Sequence, residues 1–114
     1  MADLPTLAAL TQYPPAYDGP LGTQLANVLS EVASERWRQD QRWGGPAHDD
    51  AHSYEEWQDF IDHQVAAANL EILNETDAEA AQMWRRRMVK IAALAIAAVQ
   101  SSDRRRATVE AAHG

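Results

Sequence analysis

The stretch Met88 to Val99 reads Met-Val-Lys-Ile-Ala-Ala-Leu-Ala-Ile-Ala-Ala-Val, apolar on every helical face except for Lys90, the only lysine in the chain. A helix with no wet face has to be wrapped by other helices, and an amine inside such a wrapping is costly unless it meets an anion. A chain of 114 residues supplies one domain with a modest core. The first expectation is therefore an all-α bundle with a long central apolar helix, completed by homo-oligomerisation.

Hydrophobic residues make up 46% of the chain, too many for disorder. The absence of cysteine excludes disulfides, thiolate zinc sites and cysteine nucleophiles. No basic segment followed by a long apolar core opens the sequence, and the 88–99 run is short and charged. These features predict a cytoplasmic chain with no membrane partner. The net charge of -7 argues against general affinity for a nucleic acid polymer. That charge is unevenly spread: ten acids and no Lys or Arg lie between Asp49 and Glu79, whereas Arg85 to Arg106 holds seven basic residues against Asp103 alone. The two halves attract each other or a neighbouring subunit, or simply solvate two helices.

Pro5, Pro14, Pro15, Gly19 and Pro20 mark residues 1–20 as an arm outside the bundle, with a short helical turn over Leu4 to Leu10 and with Tyr13 and Tyr17 as anchors. The bundle is expected over residues 21–106 and a frayed tail over 107–114. Its first helix is predicted to be capped by Thr23, to carry Leu25, Val28, Leu29 and Val32 on one face, and to run to about Gln41 before Gly44, Gly45 and Pro46. Ser53-Tyr54-Glu55-Glu56 is a capping box that opens a second helix. Its apolar face is Trp57, Phe60, Ile61, Ala67, Ala68 and Ile72, with Gln64 inside that face and Glu55, Asp59 and Asp62 on another. Asn74 breaks the pattern. Thr76 with Glu79 offers a second capping box for a third helix expected to end between Ser101 and Arg106.

Three constellations could carry chemistry. The loop from Arg42 to His52 packs two imidazoles, two carboxylates, an indole and a guanidinium between helices. His48, Asp49 and His52 are candidate ligands for a divalent metal, Trp43 a platform for a base and Arg42 a phosphate contact, against the plainer reading of Asp49 and Asp50 as turn residues. Asp59, Asp62 and His63 share one turn and suit either a magnesium site or a solvated face. Arg85, Arg86, Arg87 and Lys90 crowd one and a half turns of the third helix. There Lys90 calls for Asp59, Asp62 or a ligand phosphate, unless its stem snorkels to water.

Glu35-Arg36, Arg38-Gln39, Arg42-Trp43-Gly44, His48-Asp49, Trp57 and the run Arg87-Met88-Val89-Lys90-Ile91-Ala92-Ala93 through Asp103-Arg104 follow in an order that resembles small MazG-like proteins of bacteria and their phages, over roughly residues 25–105. The resemblance implies an all-α nucleoside triphosphate pyrophosphohydrolase that forms dimers or tetramers and holds magnesium with an E-x-x-E pair on one helix and E-x-x-D on the next. In relatives with the same Trp landmark the acidic helix continues W-x-x-x-x-x-E-E-x-x-E, which sets His63, Gln64 and Ala67 at the glutamate positions. Their next helix begins E-L-V, which sets Arg87 where an acid is expected and Lys90 where an acid or amide is expected. Such a pocket repels magnesium but neutralises phosphate directly.

The resemblance and its reversal of charge lead to one expectation: non-catalytic sequestration of a phosphorylated nucleotide, such as a host immune signal mopped up by a phage protein in the bacterial cytoplasm. It has no metal and no cofactor. Arg87 and Lys90 would take phosphate, His63 and Gln64 would make hydrogen bonds, and Trp43, Arg42 and His48 would form the rim. The alternatives are a magnesium-dependent pyrophosphohydrolase using Asp49, Asp50, Asp59 and Asp62, and a protein-protein interaction module without a small ligand.

Overall fold

The computed structural model describes residues 19–74 and 76–113. Every regular element among them is helical: α1 (Gly19–Trp43), α2 (Pro46–Asp49), α3 (Tyr54–Glu71), a 3-10 turn (Ile72–Asn74) and α4 (Ala78–His113). No helix among the described residues is long and apolar enough to cross a membrane. The N-terminal arm, with Tyr13 and Tyr17, lies outside the described residues.

α1 begins at Gly19, ahead of the expected cap. Pro20, whose φ is preset for a helix and whose missing N–H costs nothing in the first turn, starts it. The Thr23 hydroxyl lies inside that turn and donates to the Gly19 carbonyl at 3.2 Å. The helix ends where Gly44 and Gly45 take φ of 104° and 73°, a left-handed backbone that side-chain-bearing residues resist. The Gly44 amide closes the last turn on the Asp40 carbonyl at 2.9 Å, and Pro46 opens α2.

The Ser53 capping box forms as expected: the Glu56 amide donates to the Ser53 hydroxyl at 3.1 Å and the Ser53 amide to the Glu56 carboxylate at 3.0 Å. α4 is capped by Asp77 in place of Thr76. The Asp77 carboxylate accepts from the Glu79 amide at 2.8 Å, and its carbonyl accepts from Ala81. The expected stop between Ser101 and Arg106 is absent, and α4 continues through the stretch assigned to a tail. No Gly or Pro interrupts residues 101–113, and Ala107, Ala111 and Ala112 are strong helix formers. At 1.5 Å per residue a helix of 36 residues is about 54 Å long, the same as the longest dimension of the molecule, 54 Å.

α1 and α3 each pack along α4 but make almost no contact with each other. The core is the line where they meet α4: Ala26 and Val32 of α1, Trp57 and Ala68 of α3, and Ala93, Ala97 and Ser101 of α4. Alanines at one-turn spacing on α4 let neighbouring backbones approach, so this core is narrow. Two helices cannot wrap a third on all sides. Trp84, Ile96 and Val99 remain 40%, 39% and 60% exposed, and by the 3.6-residue period Trp84, Met88, Ala95 and Val99 share the side of α4 turned away from the core.

Candidate functional site

Because α1 and α3 do not meet, a groove of about 1440 Å³ runs between them with α4 as its floor. Glu31, Glu35, Arg36, Arg38 and Arg42 come from α1, and Trp57, Phe60, His63 and Gln64 from α3. Arg85, Arg86, Val89, Lys90, Leu94 and Ala97 rise from α4. The end of the groove is closed by Trp43, His48, Asp49 and His52.

That closing segment is clamped to the far half of α4. The Ser101 hydroxyl donates to the Asp50 carboxylate at 2.9 Å, and Arg104 holds the same carboxylate through contacts of 2.8 to 3.0 Å. These bonds, from Arg104 first and then Ser101, hold the Asp50 carboxyl below the usual carboxylate range. Arg105 donates to the carbonyl of His52 and its guanidinium lies 4.9 Å from the Tyr54 ring. From the other side Arg36 ties three elements together: it donates to Asp40 of α1, to Asp49 of α2 at 2.9 Å and to Gln100 of α4 at 3.3 Å.

With this segment fixed, a string of rings lines the closed end. Trp43 and His48 are stacked at 6.1 Å and 18°, with the Arg42 guanidinium 4.8 Å from the Trp43 ring. His48 meets His52 edge-on, and His52 in turn sits edge-on to Trp57 at 5.4 Å and to Phe60 at 4.9 Å. The buried Trp57 indole N–H has no partner among the described residues.

The carboxylates of the groove are each tied to an arginine. Glu31 receives both Arg85 nitrogens at 2.7 and 2.8 Å, which holds its carboxyl below the usual range. Glu35 pairs with Arg38 at 2.8 Å and Asp49 with Arg36 at 2.9 Å. The acidic residues considered for magnesium do not converge: Asp59 and Asp62 are exposed and outside the groove lining, while Asp50 belongs to Arg104. Among the described residues no three His, Asp or Glu side chains come together at metal distance. The donor set for a hard cation bound by clustered carboxylates does not fit this groove.

Of the residues singled out in the sequence, Lys90, His63, Gln64, Trp43, Arg42 and His48 line the groove together. Arg87 does not. Its guanidinium donates to Gln64 at 3.1 Å and to Glu71 at 3.4 Å, which turns it toward α3. Arg86, one residue earlier and one turn from Lys90, takes the place on the floor. Lys90 is half-buried, and neither it nor Arg86 has an ion-pair partner among the described residues. Asp59 and Asp62, offered as its counter-ions, do not pair with it.

Glu31 has no place in the sequence reading, Glu35 enters it only through the Glu35-Arg36 motif, and Arg86 only as one of four clustered cations on the third helix. The available signal was the four-residue step shared by Glu31 with Glu35 and by Arg86 with Lys90, which sets each pair on one helical side.

Comparison with family models, with curated proteins and with solved structures finds no match to this chain.

Proposed function

We propose that this chain binds and sequesters a phosphorylated nucleotide in the groove between α1 and α3, on a MazG-like helical bundle, without hydrolysing it. The observation that carries this reading is the pair Arg86 and Lys90, one turn apart on the groove floor with no carboxylate partner among the described residues. An exposed Arg86 beside a half-buried Lys90 favours a dianionic group. His63 and Gln64 of α3 stand on the wall of the same groove as hydrogen-bonding groups, and the stacked Trp43 and His48 at its closed end offer a face to a base.

Hydrolysis is not part of the reading because the acids of the groove are held by Arg36, Arg38 and Arg85. Those pairs leave no free carboxylate to assemble the metal cage on which pyrophosphate release by MazG-like enzymes depends. In a phage-infected bacterium such a protein would keep a host signalling nucleotide out of circulation in the cytoplasm. A second copy of the chain, packed on the exposed side of α4, completes the bundle in this reading.

The test is calorimetry against a panel of nucleoside mono-, di- and triphosphates and cyclic nucleotides, followed by chromatography of the recovered ligand. The expected outcome is saturable binding of at least one nucleotide, recovered intact with and without Mg²⁺. Affinity should fall at least about tenfold in Arg86→Ala and in Lys90→Met, the loss of about 1.4 kcal/mol expected for a charge-assisted contact. Both variants should keep the helical circular dichroism of the parent. Failure to bind any member of the panel overturns the proposal, and pyrophosphate release in the presence of Mg²⁺ replaces it with the enzyme reading.

A further inference from the structure

The two imidazoles at the closed end of the groove face each other through the same atom. His48 Nε2 and His52 Nε2 are 3.1 Å apart, their rings nearly perpendicular at 84°. Both rings are fixed from behind: His48 by its stack on Trp43, and His52 by the edges of Trp57 and Phe60. The backbone is fixed as well, by the Ser101 and Arg104 clamp on Asp50 and by Arg105 on the His52 carbonyl. On the outer side of His52, Nδ1 lies 3.5 Å from the Glu56 carboxylate.

A carboxylate at Nδ1 favours the tautomer with its proton there, which leaves the His52 Nε2 lone pair directed at His48. In the neutral pair one Nε2 donates and the other accepts. If the His48 proton moves to its Nδ1, two lone pairs converge and no proton is gained or lost. Two nitrogens on a tetrahedral metal with bonds of 2.0 to 2.1 Å lie about 3.3 Å apart, so the observed separation needs an opening of only a few tenths of an ångström. Imidazole nitrogen favours zinc, nickel or copper over magnesium.

We propose that His48 and His52 bind one divalent transition-metal ion between their Nε2 atoms, with Glu56 orienting His52 from behind and water filling the remaining positions toward the groove. Among the described residues no third His, Asp or Glu joins them, so the site is a two-imidazole site open to solvent. It uses none of the carboxylates considered for magnesium and does not depend on nucleotide binding.

The test is titration of untagged full-length protein with Zn²⁺ alone by calorimetry, in parallel with nitrogen-15 NMR of the histidine rings. One ion per chain is expected, with the Nε2 resonances of His48 and His52 shifted and those of His63 unmoved. His48→Gln and His52→Gln should each weaken binding at least about tenfold. Glu56→Gln, which keeps a residue suited to the capping box, should weaken it by about 10- to 100-fold. His63→Gln should leave it unchanged. No uptake of Zn²⁺, uptake without movement of the two Nε2 resonances, or equal shifts with Mg²⁺ would each overturn the proposal. The NMR readout on the parent protein decides the matter even if a histidine variant fails to fold.

Discussion

Arg36 shows how much one side chain can decide here. Its guanidinium and the Asp49 carboxylate are 12% and 9% exposed, and the same guanidinium reaches Asp40 and Gln100. Removing the cation leaves Asp49 charged, buried and without its partner, a larger penalty than the net worth of the pair. Arg36→Met is expected to destabilise the fold by about 3 kcal/mol, read as a lowered thermal midpoint, whereas loss of the exposed Arg106 to Asp103 pair by Arg106→Met should change it little. Equal effects of the two substitutions would remove Arg36 as the tie between α1, α2 and α4. At the same scale, Arg86 and Arg87 differ by one position and have opposite fates, one on the groove floor and one on Glu71. Three successive arginines cover three directions around a helix. Their identity alone cannot say which direction faces the groove, because that phase is set by where Ala93 and Ala97 pack.

At the scale of elements, the starts and stops of helices are chemical events that sequence reading captures well. Gly44, Gly45 and Pro46 end one helix, and Ser53 with Glu56 begins the next, through backbone groups only those residues satisfy in that geometry. α4 overruns the expected stop between Ser101 and Arg106 because neither Gly nor Pro stands there to break it. Three carboxylates, two of them at these junctions and Glu31 midway along α1, make stability depend on pH. Glu31 is held below the usual range by Arg85, Asp50 by Arg104 and Ser101, and Glu56 by the Ser53 amide. Their folded pKa values lie below the unfolded ones, so on acidification the unfolded chain takes up protons first. The stabilisation is therefore complete above about pH 5 and is lost as pH falls through the lowered values. Thermal unfolding should shift to lower temperature between about pH 5 and pH 3, and Asp50→Asn should reduce that dependence. An identical pH profile for parent and variant would contradict it.

For the whole molecule, the imbalance between a long apolar helix and two covering helices is the governing fact. One side of α4 is covered by α1 and α3 and floors the groove, while Trp84, Ile96 and Val99 stay open on the remaining surface. Exposed apolar residues aligned on one helix are a surface that water disfavours and a second helix relieves. The protein is expected to run as a dimer or higher oligomer in light scattering at micromolar concentration. Val99→Glu should shift it toward the monomer without loss of helix, and a parent that is monomeric at all concentrations would refute self-association through α4.

The sequence by itself determined the helices, because periodic apolar residues, caps and breakers act locally, and it determined that Met88 to Val99 must be the shared packing element. It also singled out Lys90, Trp43, Arg42 and His48 of the groove, since a lone lysine in an apolar run and a histidine-rich loop are unusual wherever they fall, whereas His63 and Gln64 stand out as ligand contacts only through the family resemblance. Only the tertiary structure decided that α1 and α3 stand apart, that Arg86 replaces Arg87 on the floor, and that Glu31 and Asp49 are each neutralised by an arginine of another helix. Each of these depends on the rotational phase of one packed helix against another, and a one-residue change of phase turns a side chain through 100°, from groove to flank.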